Sequence, residues 1–285
     1  MKRTVTMLGG DLRQVWLAKL MAADGWVVCT WGLEKGSAPY PVPLHQALSS
    51  EMIVLPLPIR RGGRIHLPLA DSVLETEELW PRLHGEQLLL GGMAGGLPRK
   101  LLLGHGLTLL DYYQREEVQI LNAIPTAEGA IQRGMAETEG TLQETRCLVI
   151  GYGRIGKVLA HRLQAMGADV TVVARKYSDL AWIHAYGMRG LPSGEMTGHM
   201  GSFGLIFNTV PALVLDAPLL AEISPECVLM ELASQPGGID RSAAEKLNLR
   251  VVDAPGLPGI VAPRTAAAAI QQGIYHILEE RGESF

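Results

Sequence analysis

Gly151-Tyr152-Gly153-Arg154-Ile155-Gly156 is the segment whose residue types and spacing point most directly to chemistry. Glycines at that spacing, after a strand and before a helix, make a tight turn, admit a pyrophosphate to the backbone and let helix and strand pack closely. The helix-terminal amides then face the phosphates. The context fits: Arg146–Ile150 reads as the preceding strand, Lys157–Gly167 as the helix, and Asp169–Ala174 as the second strand. A dinucleotide site is therefore expected on Gly151, Tyr152, Gly153, Arg154, Ile155 and Gly156. At the end of the second strand an NAD site would carry Asp or Glu for the ribose 2′-hydroxyl, whereas this chain has Ala174-Arg175-Lys176-Tyr177-Ser178. An acid would repel a 2′-phosphate; Arg175 and Lys176, with Ser178, would attract it, so the pattern selects NADP(H). The plainer alternative for the two cations is a solvated helix start.

Open α/β sheets bind ligands at the carboxyl ends of their strands. Asn208-Thr209-Val210-Pro211 ends one apolar run and would set polar groups beside the nicotinamide ribose, unless it is only a Pro-stopped strand with an Asn turn. Ala233 and Ser234, after the run Val228–Leu232, and the loop Ala254–Gly259 mark the next two strand ends. Ala233 and Ser234 complete the expected cofactor set.

The elements that must position these groups repeat one pattern, short β-branched runs alternating with amphipathic stretches, as in βαβ units with a parallel sheet. In the first half the runs are Val5–Leu8, Trp26–Thr30, Met52–Leu55, Gln87–Leu90 and Leu107–Leu110, with a helix from Asp11 to Ala23 and a hairpin or loop insertion at Pro58–Leu69. The second half adds Arg146–Ile150, Asp169–Ala174, Leu205–Asn208, Val228–Leu232 and Arg250–Asp253. Between the halves a helical pattern starts near Arg115, is interrupted at Pro125 and resumes to Glu139, predicting two helices joined at a hinge. Pro263 opens a closing helix to Glu280. The expectation is an α/β protein of two doubly wound parallel-sheet domains: 1–125, flavodoxin-like and substrate-binding; 126–262, a Rossmann NADP-binding domain; and 263–285, a C-terminal helix returning toward the first. Crossings at Pro125 and at Gly259–Pro263 would let a cleft close on substrate and exclude water.

Composition narrows the partners. Length and a 47% hydrophobic content suit one or two globular domains and exclude disorder and coiled coil. Twenty-five Lys and Arg against 29 Asp and Glu leave a formal charge of −4, no field for a nucleic-acid backbone. Cys29, Cys147 and Cys227 are odd in number and far apart, offering neither a disulfide framework nor a metal site and fitting a reducing cytoplasm. No apolar run suits a signal sequence or a membrane span.

Six strings together carry a family resemblance. They are Gly9-Gly10-Asp11 with Arg13 and Gln14, Pro125-Thr-Ala-Glu-Gly-Ala-Ile131, Gly151–Gly156, Asn208-Thr-Val-Pro-Ala212, Glu231-Leu-Ala-Ser-Gln-Pro-Gly-Gly238, and Ala254-Pro-Gly-Leu-Pro-Gly259 followed by Ala262-Pro263 and Thr265-Ala266. Over nearly the whole chain the pattern resembles the A subunits of dipicolinate synthase. The resemblance implies an NADP-linked oxidation of a dihydropyridine dicarboxylate from the lysine pathway to pyridine-2,6-dicarboxylate, in the mother-cell cytoplasm of a sporulating bacterium. It also implies that the partner is a small, flavoprotein-like B subunit. The layout is also similar to D-2-hydroxyacid dehydrogenases and alanine dehydrogenase. The former carry an Arg where this chain has Ala233-Ser234 and a His where it has Ala262-Pro263, so oxidation of a 2-hydroxy acid is disfavoured.

That chemistry needs a hydride acceptor over one ring carbon, a base for the proton lost from its neighbour, and cationic or amide-rich pockets for two carboxylates. The expected carboxylate ligands are the Gly9-Gly10-Asp11 helix start with Arg13 and Gln14, then Arg60, Thr126, and Arg264 with Thr265, the last two favoured because a helix start after the last Rossmann strand should face an interdomain cleft. Arg61 and the Gly91-Gly92 and Gly95-Gly96 turns are further candidates. Asp11 is explained equally by an N-cap. None of the eight histidines sits in a family-like string; Glu128 is the expected base, unless it merely supports a helix start at Thr126. Whether the substrate is dihydrodipicolinate or hydrated hydroxytetrahydrodipicolinate stays open. So do two other readings, an NADP-dependent imino- or amino-acid dehydrogenase and a non-catalytic protein that binds NADP(H) or serves as a scaffold. The small residues Ala266–Ala269 permit close approach of another helix, from the core, a second copy in a homo-oligomer, or the B subunit.

Overall fold

The computed structural model describes residues 4–94 and 106–282. The chain forms two compact units, Met1–Asn122 with Pro258–Phe285, and Ala123–Leu257.

Unit 1 holds the strands β1 (Thr4–Leu8), β2 (Val27–Trp31), β3 (Met52–Val54), β6 (Leu88–Gly91) and β7 (Leu109–Asp111), with a small antiparallel hairpin of β4 (Arg60–Arg61) and β5 (Arg64–Ile65) between β3 and β6. The five main strands are parallel, in the order β2-β1-β3-β6-β7, which is the flavodoxin-like winding. β1 and β3 are almost wholly buried, as strands covered on both faces must be. Helix Leu12–Ala23 starts where the Asp11 side chain accepts from the Arg13 amide. It packs against the C-terminal helix Pro263–Glu280, so that Val15, Ala18 and Met21 share a core with Ala267, Ile270, Ile274 and Leu278. Pro263 occupies the first turn of that helix, as predicted, and Ala266, Ala267 and Ala269 are spent on this core.

Unit 2 is a six-stranded parallel sheet in the order β10-β9-β8-β11-β12-β13, the Rossmann winding. Its strands are β8 (Arg146–Ile150), β9 (Asp169–Ala174), β10 (Arg189–Pro192), β11 (Leu205–Asn208), β12 (Val228–Glu231) and β13 (Arg250–Asp253). Five match the apolar runs of the sequence. β10, Arg-Gly-Leu-Pro on the sheet edge, carries no apolar run and is not among the expected strands.

One expectation is corrected. No break divides two helices at Pro125: a single helix spans Glu116–Ala136 with Pro125 inside it. Proline there removes its own N–H bond to the Leu121 carbonyl, and Val118, Ala123, Ala127 and Ala130 on either side of it are buried. The chain passes between the two units within this helix.

Candidate functional site

In unit 2 the glycine motif lies between the ends of β8 and β11, the switch point of the winding. Gly151 adopts φ +99°, and its amide continues the sheet by donating to Val173 at 2.9 Å. A Cβ there would stand 2.5 Å from Thr209 Oγ1, so the turn is seated directly on the next strand end. A Cβ on Gly156 would lie 2.0 Å from the Gly151 carbonyl oxygen, a helix-to-strand approach open only to glycine. Gly153 is exposed, and a Cβ on it would meet nothing within 4 Å. Helix Arg154–Ala165 begins on Gly153 with no side-chain cap, leaving its first-turn amides for an outside acceptor. These three glycine environments fit a bound pyrophosphate. Tyr152 turns its ring into the protein, with the Lys157 ammonium 5.5 Å from the ring centre.

Arg175, Lys176 and Ser178 are exposed beyond β9, and among the described residues neither cation is ion-paired. Asn208, expected beside the nicotinamide ribose, is instead wholly buried. Its Nδ2 donates to Val210 O at 3.0 Å and to Glu231 Oε1 at 2.8 Å, and its Oδ1 accepts from the Val210 amide at 3.1 Å. Asn208 therefore builds the loop and does not project from it. Thr209 also spends its hydroxyl inward, on Ile150 O at 2.8 Å. Pro211 and Ser234 are exposed, and Val210 and Ala233 half-buried.

In unit 1 the corresponding switch point lies between β1 and β3 and is built differently. The Gly9 and Gly10 amides are consumed by Trp31 O at 2.8 Å and His66 O at 2.9 Å, and the Gly92 amide by Pro56 O at 3.2 Å, so these three glycine amides are already engaged. Asp11 caps the helix and also receives Arg13 through Nε at 2.9 Å and Nη2 at 2.7 Å. Arg13, only 7% exposed, donates from Nη2 to Leu57 O at 2.5 Å as well; among the described residues no hydrogen bond engages its Nη1. Burial alone would raise the Asp11 carboxyl, but the hydrogen bonds and charge of Arg13 outweigh it and hold Asp11 below the usual carboxylate range. Gln14, 2% exposed, donates to Leu55 O at 3.1 Å and leaves Oε1 buried without a partner. A Cβ on Gly259 would stand 2.7 Å from Asp11 Oδ2, which brings the segment before the C-terminal helix onto this pair.

The remaining expected residues scatter. Arg60 lies on β4, Thr126 is buried in the long helix, and Arg264 and Thr265 are exposed at the start of the C-terminal helix, Arg264 lying 5.7 Å over the Trp16 ring. Glu128, the expected base, has a side chain that is 54% exposed and pairs with Arg162 at 3.1 Å. Because the helix runs through Pro125, residue 128 falls on its solvent face and not in a first turn. Gly95-Gly96 lie outside the described residues.

Sequence reasoning missed His66. The hairpin brings it to the unit 1 switch point, where its imidazole lies in the fields of Asp11 and Arg13. A pairing across more than fifty residues leaves no local spacing signal. Among the described residues no helix is long and apolar enough to cross a membrane, and no group of three His, Cys, Asp or Glu residues could hold a metal.

A flavodoxin-like unit joined to a Rossmann unit with a dinucleotide fingerprint defines a two-unit protein of dehydrogenase fold. Residues 118–202 match the NAD-binding domain of D-isomer specific 2-hydroxyacid dehydrogenases, so an NAD(P)-binding domain is present. Residues 4–113 match the N-terminal domain of the dipicolinate synthase A subunit, to which the chain is similar along nearly its whole length. It is 29% identical to that subunit of Bacillus subtilis (strain 168) over 97% of this chain and 96% of the relative. The crystal structure of the subunit from Bacillus halodurans superposes with a TM-score of 0.88 at 28% identity, covering 97% of each chain. An L-alanine dehydrogenase structure shares the fold alone, with a TM-score of 0.67 at 17% identity over 97% of this chain and 90% of that one.

Proposed function

We propose that this chain is the catalytic A subunit of a dipicolinate synthase, an NADP-dependent oxidoreductase converting dihydrodipicolinate to pyridine-2,6-dicarboxylate in the mother-cell cytoplasm of a sporulating bacterium. The observation that carries this reading is the match to dipicolinate synthase along both units, joined to a fingerprint whose glycine environments fit a dinucleotide. Gly151–Gly156 hold the pyrophosphate, Arg175, Lys176 and Ser178 the 2′-phosphate, and Thr209, Val210, Pro211, Ala233 and Ser234 flank the nicotinamide ribose. When bound, the oxidised nicotinamide supplies the hydride acceptor.

In this reading 1–125 is the substrate domain, 126–262 the cofactor domain and 263–285 the returning helix. Arg13 and Gln14 are carboxylate ligands in this reading, since no hydrogen bond among the described residues engages Arg13 Nη1 and Gln14 Oε1 has no partner. Arg60, Thr126, Arg264 and Thr265 are secondary candidates for the second carboxylate. The flavoprotein-like B subunit is the expected partner.

Absorbance at 340 nm, with enzymatically generated dihydrodipicolinate and NADP+, tests the proposal on this chain alone and with the B subunit. NADPH formation that requires this chain is expected. Tight NADPH binding with no signal in either mixture would overturn catalysis and favour a nucleotide-binding scaffold. A signal with hydroxy or imino acids only would reassign the substrate.

A further inference from the structure

We propose that His66 takes the ring proton when the dihydropyridine dicarboxylate is oxidised, standing beside the Arg13–Asp11 pair at the switch point of the unit 1 sheet. The inference rests on the substrate reading above and adds the base that reading lacks. The hairpin fixes the position: β4 and β5 pair Arg60 with Ile65, the His66 amide donates to Ile59 O at 2.9 Å, and its carbonyl accepts from Gly10 at 2.9 Å. Both backbone groups of His66 are thus tied into the turn that precedes Arg13. The imidazole is half-buried and has no hydrogen-bond partner among the described residues. The charged groups facing it are Asp11 and Arg13 from the helix start and Arg61 from the hairpin; with burial first, Arg61 and Arg13 favour the neutral ring against the pull of Asp11. A neutral imidazole at neutral pH is the form a proton acceptor requires. By comparison, His276 is engaged by Glu117 at 3.2 Å and His161 packs edge-on against Tyr186.

The step balances. One of two adjacent saturated ring carbons would give up hydride, with its electron pair, to the oxidised nicotinamide of the bound dinucleotide. The C–H bond of its neighbour breaks, that pair closes the last ring double bond, and the proton goes to the unprotonated imidazole nitrogen. The products would be the aromatic dicarboxylate, the reduced dinucleotide and an imidazolium that returns its proton to water.

The test uses the complex of this chain with the B subunit. His66→Gln is expected to lower kcat by about 100-fold with KM little changed, and to abolish the acid limb of the kcat/KM profile, which reports the free protein and in the wild type lies below the ordinary histidine value. Added imidazole should restore part of the rate to His66→Ala. Independently of turnover, the His66 ring resonance should titrate below the ordinary range in the free protein and shift upward when dipicolinate binds. Wild-type kcat with an intact acid limb in His66→Gln, or a His66 resonance indifferent to dipicolinate, would overturn the assignment. An inactive wild type whose His66 still responds to dipicolinate would overturn the oxidoreductase reading instead.

Discussion

Asn208 Nδ2 donates to Glu231 Oε1 at 2.8 Å, joining the carboxyl ends of β11 and β12 inside the Rossmann unit. Glu231, 4% exposed, also accepts from the Ala233 amide at 3.1 Å and the Gly238 amide at 2.8 Å. All three partners donate, and the Asn208 amide is pinned by its bonds to Val210, so the Glu231 side chain serves only as an acceptor here. Glu231→Gln would turn an amide N–H against one of these donors, at a cost of about 1–3 kcal/mol for the unsatisfied buried group. The expected result is a lower melting temperature and NADPH affinity weakened by roughly tenfold, since both loops flank the proposed nicotinamide ribose site. Fluorescence titration checks it; unchanged affinity would remove these loops from the cofactor site.

The second and third fingerprint glycines separate folding from binding. Gly156→Ala sets a Cβ 2.0 Å from a backbone oxygen that cannot move aside, so unit 2 should lose stability. Gly153→Ala meets nothing within 4 Å, and Gly153 has an ordinary φ of −80°. That variant should melt like the wild type yet bind NADPH at least about tenfold more weakly, because the methyl group takes the space of the pyrophosphate. Calorimetry of both variants checks the contrast; full affinity in Gly153→Ala would place the phosphates elsewhere.

Why these groups were legible, and His66 was not, follows from how far apart the interacting residues lie. Buried parallel strands such as Cys147–Ile150 and Leu205–Asn208 need apolar residues on both faces, so they announce themselves in sequence. β10 sits on the sheet edge and carries Arg189 and Gly190, so it does not. The glycine fingerprint is local chemistry and stands out. Pro125 misled because proline usually ends a helix, whereas here one lost hydrogen bond is offset by the burial of Val118, Ala123, Ala127 and Ala130 along the helix. Asn208 occupies the position expected of a ligand-binding residue, yet Glu231, paired across the sheet, turns it inward. Long-range pairings of that kind are set by topology.

Cofactor choice is tested at Arg175, exposed immediately beyond β9. Arg175→Asp replaces an attraction for the 2′-phosphate by a repulsion, and charge-assisted bonds of this kind contribute roughly 1.5–3 kcal/mol. NADPH affinity should fall by about 100-fold or more, and NADH affinity should hold or rise. Dissociation constants for both dinucleotides at two salt concentrations check this. Equal losses for both would show that Arg175 contacts a part common to the two dinucleotides and not the 2′-phosphate, and no loss for either that it contacts neither.

Arg115 ties helix Glu116–Ala136 to the C-terminal helix in unit 1, through a bidentate pair with Glu280 at 2.7 and 2.8 Å and a close bond to Glu117, which also meets His276. These hydrogen bonds hold Glu117 down to about 2, from an ordinary 4.5, and lower Glu280 as well. A carboxyl whose pKa is depressed on folding stabilises the native state above its unfolded value and loses that contribution as pH falls toward its folded value. The stabilisation is therefore complete at neutral pH and fades between about pH 4.5 and 2. Solvent screens these exposed groups, so the effect is modest. Arg115→Gln should lower the melting temperature by a few degrees at pH 7, and the gap to the wild type should narrow steadily below pH 4.5. Paired melts across that range check the sign, and a gap independent of pH would assign the loss to the packing of the Arg115 stem and not to its charge.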